Sequence, residues 1–121
     1  MAANDYHVIM YQILLYLYDC LKKGIDPDNE AVEAYRKLRQ INMRYWSRVI
    51  IDMQNDGYIE KATVFAITNV GWQGARITRD TAVTRNGIEY LIDNSLMQKI
   101  KELGTDAIKG MISGLGSAVL N

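Results

Sequence analysis

Asn42-Met-Arg-Tyr-Trp-Ser-Arg-Val-Ile-Ile-Asp-Met-Gln-Asn55-Asp-Gly-Tyr-Ile59 is the stretch on which the fold turns, because the apolar period changes inside it. Met43, Trp46, Val49, Ile50 and Met53 recur at helical spacing and predict one buried stripe. Asn42 is placed to cap that helix, since its side chain accepts from free N–H groups of a first turn. The opposite face carries Arg44, Tyr45, Ser47, Arg48 and Ile51. Asp56-Gly57 stops the helix. Beyond it, Tyr58-Ile59 and Thr63-Val-Phe-Ala-Ile-Thr68 are β-branched and aromatic, as strands are. Asn69 to Gly74 reads as a loop, and Ala75 to Val83 as the returning strand of a hairpin with a long tip.

Working towards the N-terminus, a second helix is expected over about 29–38, with Val32, Tyr35 and Leu38 as its stripe and Arg36, Lys37 and Arg39 off it. Gln40-Ile41 is a short connector to the helix after Asn42. Ile25-Asp-Pro-Asp-Asn29, with the only proline, is a turn. Before it, a helix from Tyr6 to Lys23 is predicted, capped by Asp5 and ended by Lys22-Lys23-Gly24. Ile9, Ile13, Leu17 and Leu21 recur along it, and Val8, Met10, Tyr11, Leu15 and Tyr18 make it apolar nearly all round. Such a helix is either central to the core or shared with a partner chain.

Towards the C-terminus, Thr84 is the expected cap of a helix whose stripe is Ile88, Leu91, Ile92, Leu96 and Ile100. Gly104 breaks it. Thr105 then opens a glycine-rich amphipathic segment with Ile108, Met111, Ile112, Leu115 and Val119. The order is three helices, a hairpin and a further helix. The expected class is therefore mainly α with a small β-hairpin (α+β), arranged as a winged helix-turn-helix with additional C-terminal helix. Residues 1–103 would form that domain and residues 104–121 a helical tail.

The 121 residues suffice for one domain with one core. They are 49% apolar and 23% charged, which excludes a disordered chain. Cys20 is the only cysteine and cannot form an internal disulfide, as befits a reducing compartment. The start Met1-Ala-Ala-Asn-Asp-Tyr lacks a basic n-region and a cleavage site, and the apolar run from Val8 to Tyr18 is about half a membrane span. A cytoplasmic protein is expected.

Net charge is zero but unevenly spread: residues 1–33 carry −4, residues 34–85 carry +5, and residues 86–121 carry −1. Between residues 34 and 51 there are five bases and no acid. A basic middle third points to an anionic partner. Arg44 and Arg48, four apart, would project from one helix face with Tyr45 and Ser47 beside them, and arginine can grip guanine O6 and N7 as a fork. Arg36, Lys37 and Arg39 on the preceding helix would hold phosphates. Trp72, Gln73 and Arg76 at the hairpin tip would extend the contact; Trp72 either enters the minor groove or folds back as core. Arg79 and Arg85 extend the positive face or are simply exposed.

The chemistry of catalysis is missing from the pattern. His7 is the sole histidine and has no ligand cluster near it, so no metal, cofactor or enzyme activity is expected. Cys20 lies in an apolar helix, as a packing residue does. Asp26, Asp28 and Glu30 alternate like a calcium loop, but Pro27 and the missing downstream glycine and glutamate exclude one. The first-helix tyrosines Tyr6, Tyr11, Tyr16 and Tyr18 are expected in the core or an interface.

The run Thr84-Arg-Asn-Gly87-Ile88-Glu89-Tyr90-Leu91-Ile92-Asp93-Asn94-Ser95-Leu96-Met97 is similar to the closing segment of the YjcQ-like proteins, small winged-helix proteins of bacteria and their prophages. The preceding Tyr45-Trp46-Ser47-Arg48-Val49-Ile50 and Asn55-Asp56-Gly57-Tyr58-Ile59 resemble a recognition helix entering its wing. The resemblance covers roughly residues 6–103. It implies the fold and a prophage or mobile-element setting, and it assigns no activity, ligand or site residue. Two functions follow as expectations. The first is a homodimeric DNA-binding regulator, paired through its first or last helices. The second is a protein-interaction module on the same scaffold that does not bind DNA.

Overall fold

The computed structural model describes residues 5–94. The elements run α1 (Tyr6–Lys23), α2 (Asn29–Leu38), α3 (Met43–Asn55), β1 (Ile59–Glu60), β2 (Thr63–Ala66), β3 (Gln73–Arg76), β4 (Ala82–Val83) and α4 (Arg85–Asp93). The class is mainly α with a small antiparallel β component. Leu96, Ile100 and the expected final helix lie outside the described residues. Among those described, no helix is long and apolar enough to cross a membrane.

α1 is the central rod. Twelve of its residues are buried, from Val8 through Leu17 and on to Asp19 and Cys20, and it packs on α3, α4 and β4. Its all-round apolar character therefore serves the chain's own core. Two details differ from the sequence pattern. The Asp5 carboxylate makes no capping bond; instead its carbonyl accepts from Ile9 N–H. Leu21 is 56% exposed. A repeat of four overshoots the 3.6-residue turn by about 40° each time, so by Leu21 the row has left the core side. Gly24, at φ 67°, closes the helix with its N–H on Leu21 carbonyl, and Ile25 N–H returns to Cys20 carbonyl.

α2 is capped by the Asp28 carboxylate, which accepts from Glu30 N–H at 2.9 Å. Ala31, Val32 and Tyr35 are buried, but Leu38 is 67% exposed. The helix ends there. Gln40 takes a left-handed φ of 56°, and Ile41 fills the core position that the stripe had assigned to Leu38.

α3 starts on Asn42, whose Oδ1 accepts from Tyr45 N–H at 2.9 Å. Trp46, Val49, Ile50 and Met53 are fully buried, and Met43 packs at the margin. The returning limb of the hairpin is not one strand. β2 pairs with β3 (Thr63↔Arg76 to Ala66↔Gln73), while β1 pairs with β4 (Ile59↔Val83, Glu60↔Ala82). Between them both limbs kink. Lys61 has φ 63°, its carbonyl accepts from Thr81 hydroxyl at 3.1 Å, and Thr81 Oγ1 accepts from Thr78 N–H at 2.8 Å. The first strand ends and the second begins two residues earlier than expected, which shifts the tip to residues 67–72 without changing its length.

Thr84 caps α4 by accepting from Gly87 N–H at 3.2 Å. Gly87 and Leu91 are buried and Ile88 is half-buried, whereas Ile92 is 65% exposed. A single residue step turns the helix by about 100°, which carries Ile92 off the contact side.

Candidate nucleic-acid interface

The outward face of α3 and the hairpin tip enclose a groove of about 720 Å³. Arg44, Tyr45 and Arg48 form its floor, and Trp72 and Gln73 line its hairpin wall. Trp72 is thus half-buried in a groove wall, neither core nor free tip. What holds the wall in place is Ser47. It was expected on the outward face, yet it is fully buried, because β3 docks on α3 there and Ser47 Oγ accepts from Ala75 N–H at 3.0 Å. Ser47 clamps the hairpin to α3 and does not line the groove.

The remaining predicted contacts disperse. Arg36 is taken up internally. Its Nε and Nη2 bind Glu33 at 3.0–3.2 Å, and its Nη1 donates to Ile41 carbonyl at 3.0 Å. It ties α2 to the turn before α3 and does not line the groove. Arg39 lies half-buried with its guanidinium 5.8 Å from the Tyr35 ring centroid. Lys37 is exposed and has no ion pair among the described residues, but it does not line the groove. Arg76 sits over the Phe65 ring at 4.9 Å, on the hairpin face opposite to Ala75, because successive strand residues alternate sides. Arg79 pairs with exposed Asp26 at 3.4 Å.

Two residues outside the predicted site enter it, Asp52 and one of the first-helix tyrosines that had been expected in the core or an interface. Asp52, on the groove edge, receives Arg48 Nε at 2.9 and 3.1 Å on its two oxygens. Tyr6 hydroxyl donates to Asp52 Oδ2 at 2.8 Å. Burial and the adjacent Asp52 carboxylate hold the Tyr6 phenol far above its ordinary range, so it stays a donor. The acid-free stretch runs from 34 to 51. Glu33 and Asp52 stand one residue beyond either end, and each pairs with a base inside it. A check at the i, i+3 and i, i+4 spacings would have found both.

Arg44 is left as the groove's base with no ion pair among the described residues. A second, smaller groove of about 420 Å³ is lined by Asp56, Glu89 and Asp93 beside the tilted Tyr58–Tyr90 pair. Burial pushes the Cys20 thiol up to about 11, which leaves no thiolate near neutral pH. Among the described residues no three His, Cys, Asp or Glu side chains cluster as a metal site.

No curated protein and no solved structure matches the chain. The model of the YjcQ protein family matches residues 11–110, which takes in most of α1, every element from α2 to α4 and all the residues that line the groove. The chain belongs to the YjcQ protein family.

Proposed function

We propose that this chain is a winged-helix DNA-binding regulator that works without catalysis in the cytoplasm, in a prophage or mobile-element setting. The carrying observation is the groove in which Arg44 and Arg48, one turn apart on the exposed face of α3, stand beside Trp72 of the hairpin tip. α2 and α3 are joined by the short turn of residues 39–42, and a hairpin follows them, which is the order of a helix-turn-helix with a wing. In that docking α3 meets base edges in the major groove and the hairpin tip follows the backbone. Exposed Lys37 is available to phosphate nearby.

The reading is tested by titrating fluorescent genomic duplexes with wild type and with Arg44→Ala/Arg48→Ala. Wild type should bind with an affinity that falls steeply as salt rises. The double variant should bind about a hundredfold more weakly, since each lost arginine fork is worth about 1–3 kcal/mol. Salt-insensitive binding, or an unaffected double variant, would remove the DNA reading.

The chain also acts as a homodimer on this reading, so that two half-sites add along the duplex. α1 is spent in the chain's own core, which leaves the amphipathic sequence of residues 105–121 as the associating segment. Light scattering that gives a monomer at high concentration removes the dimer and leaves the DNA reading intact.

Asp52 favours a second reading. Its carboxylate gives the groove mixed charge, which suits a protein segment with acids and bases of its own. Under that reading the duplex titration shows no binding.

A further inference from the structure

We propose that Asp52, backed by Tyr6, is a positioning residue that makes Arg48 the selective contact of the groove and Arg44 the unselective one. The inference rests on the groove being a DNA surface and adds how that surface discriminates.

The geometry is asymmetric between two arginines on one helix face. Arg48 is 74% exposed by its side chain, yet its Nε is held by both oxygens of Asp52. Asp52 is 26% exposed by its side chain and is itself held by the Tyr6 hydroxyl from α1. A guanidinium tied at Nε has its plane set, and its two terminal nitrogens have no partner among the described residues. That edge is the one that matches a pair of acceptors such as guanine O6 and N7. An arginine free to swing adapts equally to any phosphate. Arg44 has no acid holding it among the described residues.

Asp52 acts a second time through its charge. A fixed carboxylate on the groove edge repels phosphates on every sequence alike, so it lowers generic affinity. A base edge that engages Arg48 in its set orientation recovers what the phosphates lose. Selectivity is a difference between two affinities, and a repulsive element widens it as surely as an attractive one. Tyr6 lies behind the carboxylate and carries no charge, so its loss loosens the arrangement without changing the field.

The test uses the full chain, a duplex enriched by selection from a random pool, and a scrambled duplex of the same length. Binding is measured by anisotropy across a salt series for wild type, Asp52→Asn and Tyr6→Phe. Asp52→Asn should bind the scrambled duplex about three- to tenfold more tightly, with the salt slope steeper by about 0.9 for one more neutralised phosphate. Its preference for the selected duplex should shrink by a similar factor. Tyr6→Phe should keep the wild-type salt slope and still lose about two- to fivefold of the preference. A purely structural role would weaken both duplexes equally and leave their ratio alone. Should wild type prefer the selected duplex and both variants retain that preference, the positioning role is overturned while the DNA surface stands. Wild type that binds neither duplex overturns the DNA surface itself, and the positioning role with it.

Discussion

Gly87→Ala is expected to cost the domain about 3 kcal/mol or more, although alanine is the better helix former by about 1 kcal/mol. Gly87 is the third residue of α4 and faces inward. A Cβ there would collide with the Tyr58 carbonyl oxygen, lie 2.7 Å from Val83 Cγ2 and 3.1 Å from Leu14 Cδ2. The two side chains can shift a little. The carbonyl cannot, because it accepts from Thr84 N–H at 3.0 Å in the turn that starts the helix. Relief of the clash therefore means moving α4 away from α1 or breaking its start. For a domain of this size the melting temperature should fall by roughly 15 °C. Thermal and urea unfolding followed by circular dichroism read the change. A variant as stable as wild type would show that α4 does not approach the Tyr58 turn this closely.

Trp46→Ala is the second large loss, about 3–5 kcal/mol, a sizeable part of the stability of an ordinary domain. Trp46 is fully buried on α3, and its ring centroid lies 6.2 Å from that of Tyr35 at a 45° tilt. Removing it opens a cavity where α1, α2 and α3 meet. The indole N–H has no hydrogen-bond partner among the described residues, so Trp46→Phe discards a buried donor along with some area. That substitution should cost less than half as much as Trp46→Ala. Trp72 remains in both variants as the fluorescent reporter. Equal losses for the two substitutions would mean that the indole nitrogen is satisfied in solution, by water or by rearrangement.

The helices were legible in the sequence for a simple reason: their ends and apolar rows are local. Asn42 and Thr84 cap as their residue types and positions predicted, whereas the Asp5 carboxylate makes no capping bond and α2 is capped by Asp28, which had been read only as part of the turn. The rows failed only at their margins. Leu21, Leu38 and Ile92 satisfy the spacing, yet each lies where the helix has turned or ended. Periodicity says which residues share a face. It does not say how far along that face the neighbour extends.

The candidate site was legible in part. Arg44, Tyr45, Arg48, Trp72 and Gln73 do meet in one groove, because α3 was placed correctly and the hairpin tip to within two residues. Arg36, Arg39, Ser47 and Arg76 do not join them, and each for a contact that the sequence does not display. Arg36 is consumed by Glu33 and a carbonyl, Arg39 leans on Tyr35, Ser47 holds β3, and Arg76 covers Phe65.

By itself the sequence determined the element order, the helix starts, the all-round apolar character of the first helix and the family, since these depend on residue type and spacing along the chain; that this helix is the central rod was decided by its packing. Only the tertiary structure decided the strand partners, the burial of Ser47, the closeness that requires Gly87 and the grip of Tyr6 and Asp52 on Arg48. Each of those is a contact between segments far apart in the chain or a direction in which a side chain points. A one-dimensional pattern fixes which face a residue is on, and what stands opposite that face is set by the packing of the whole domain.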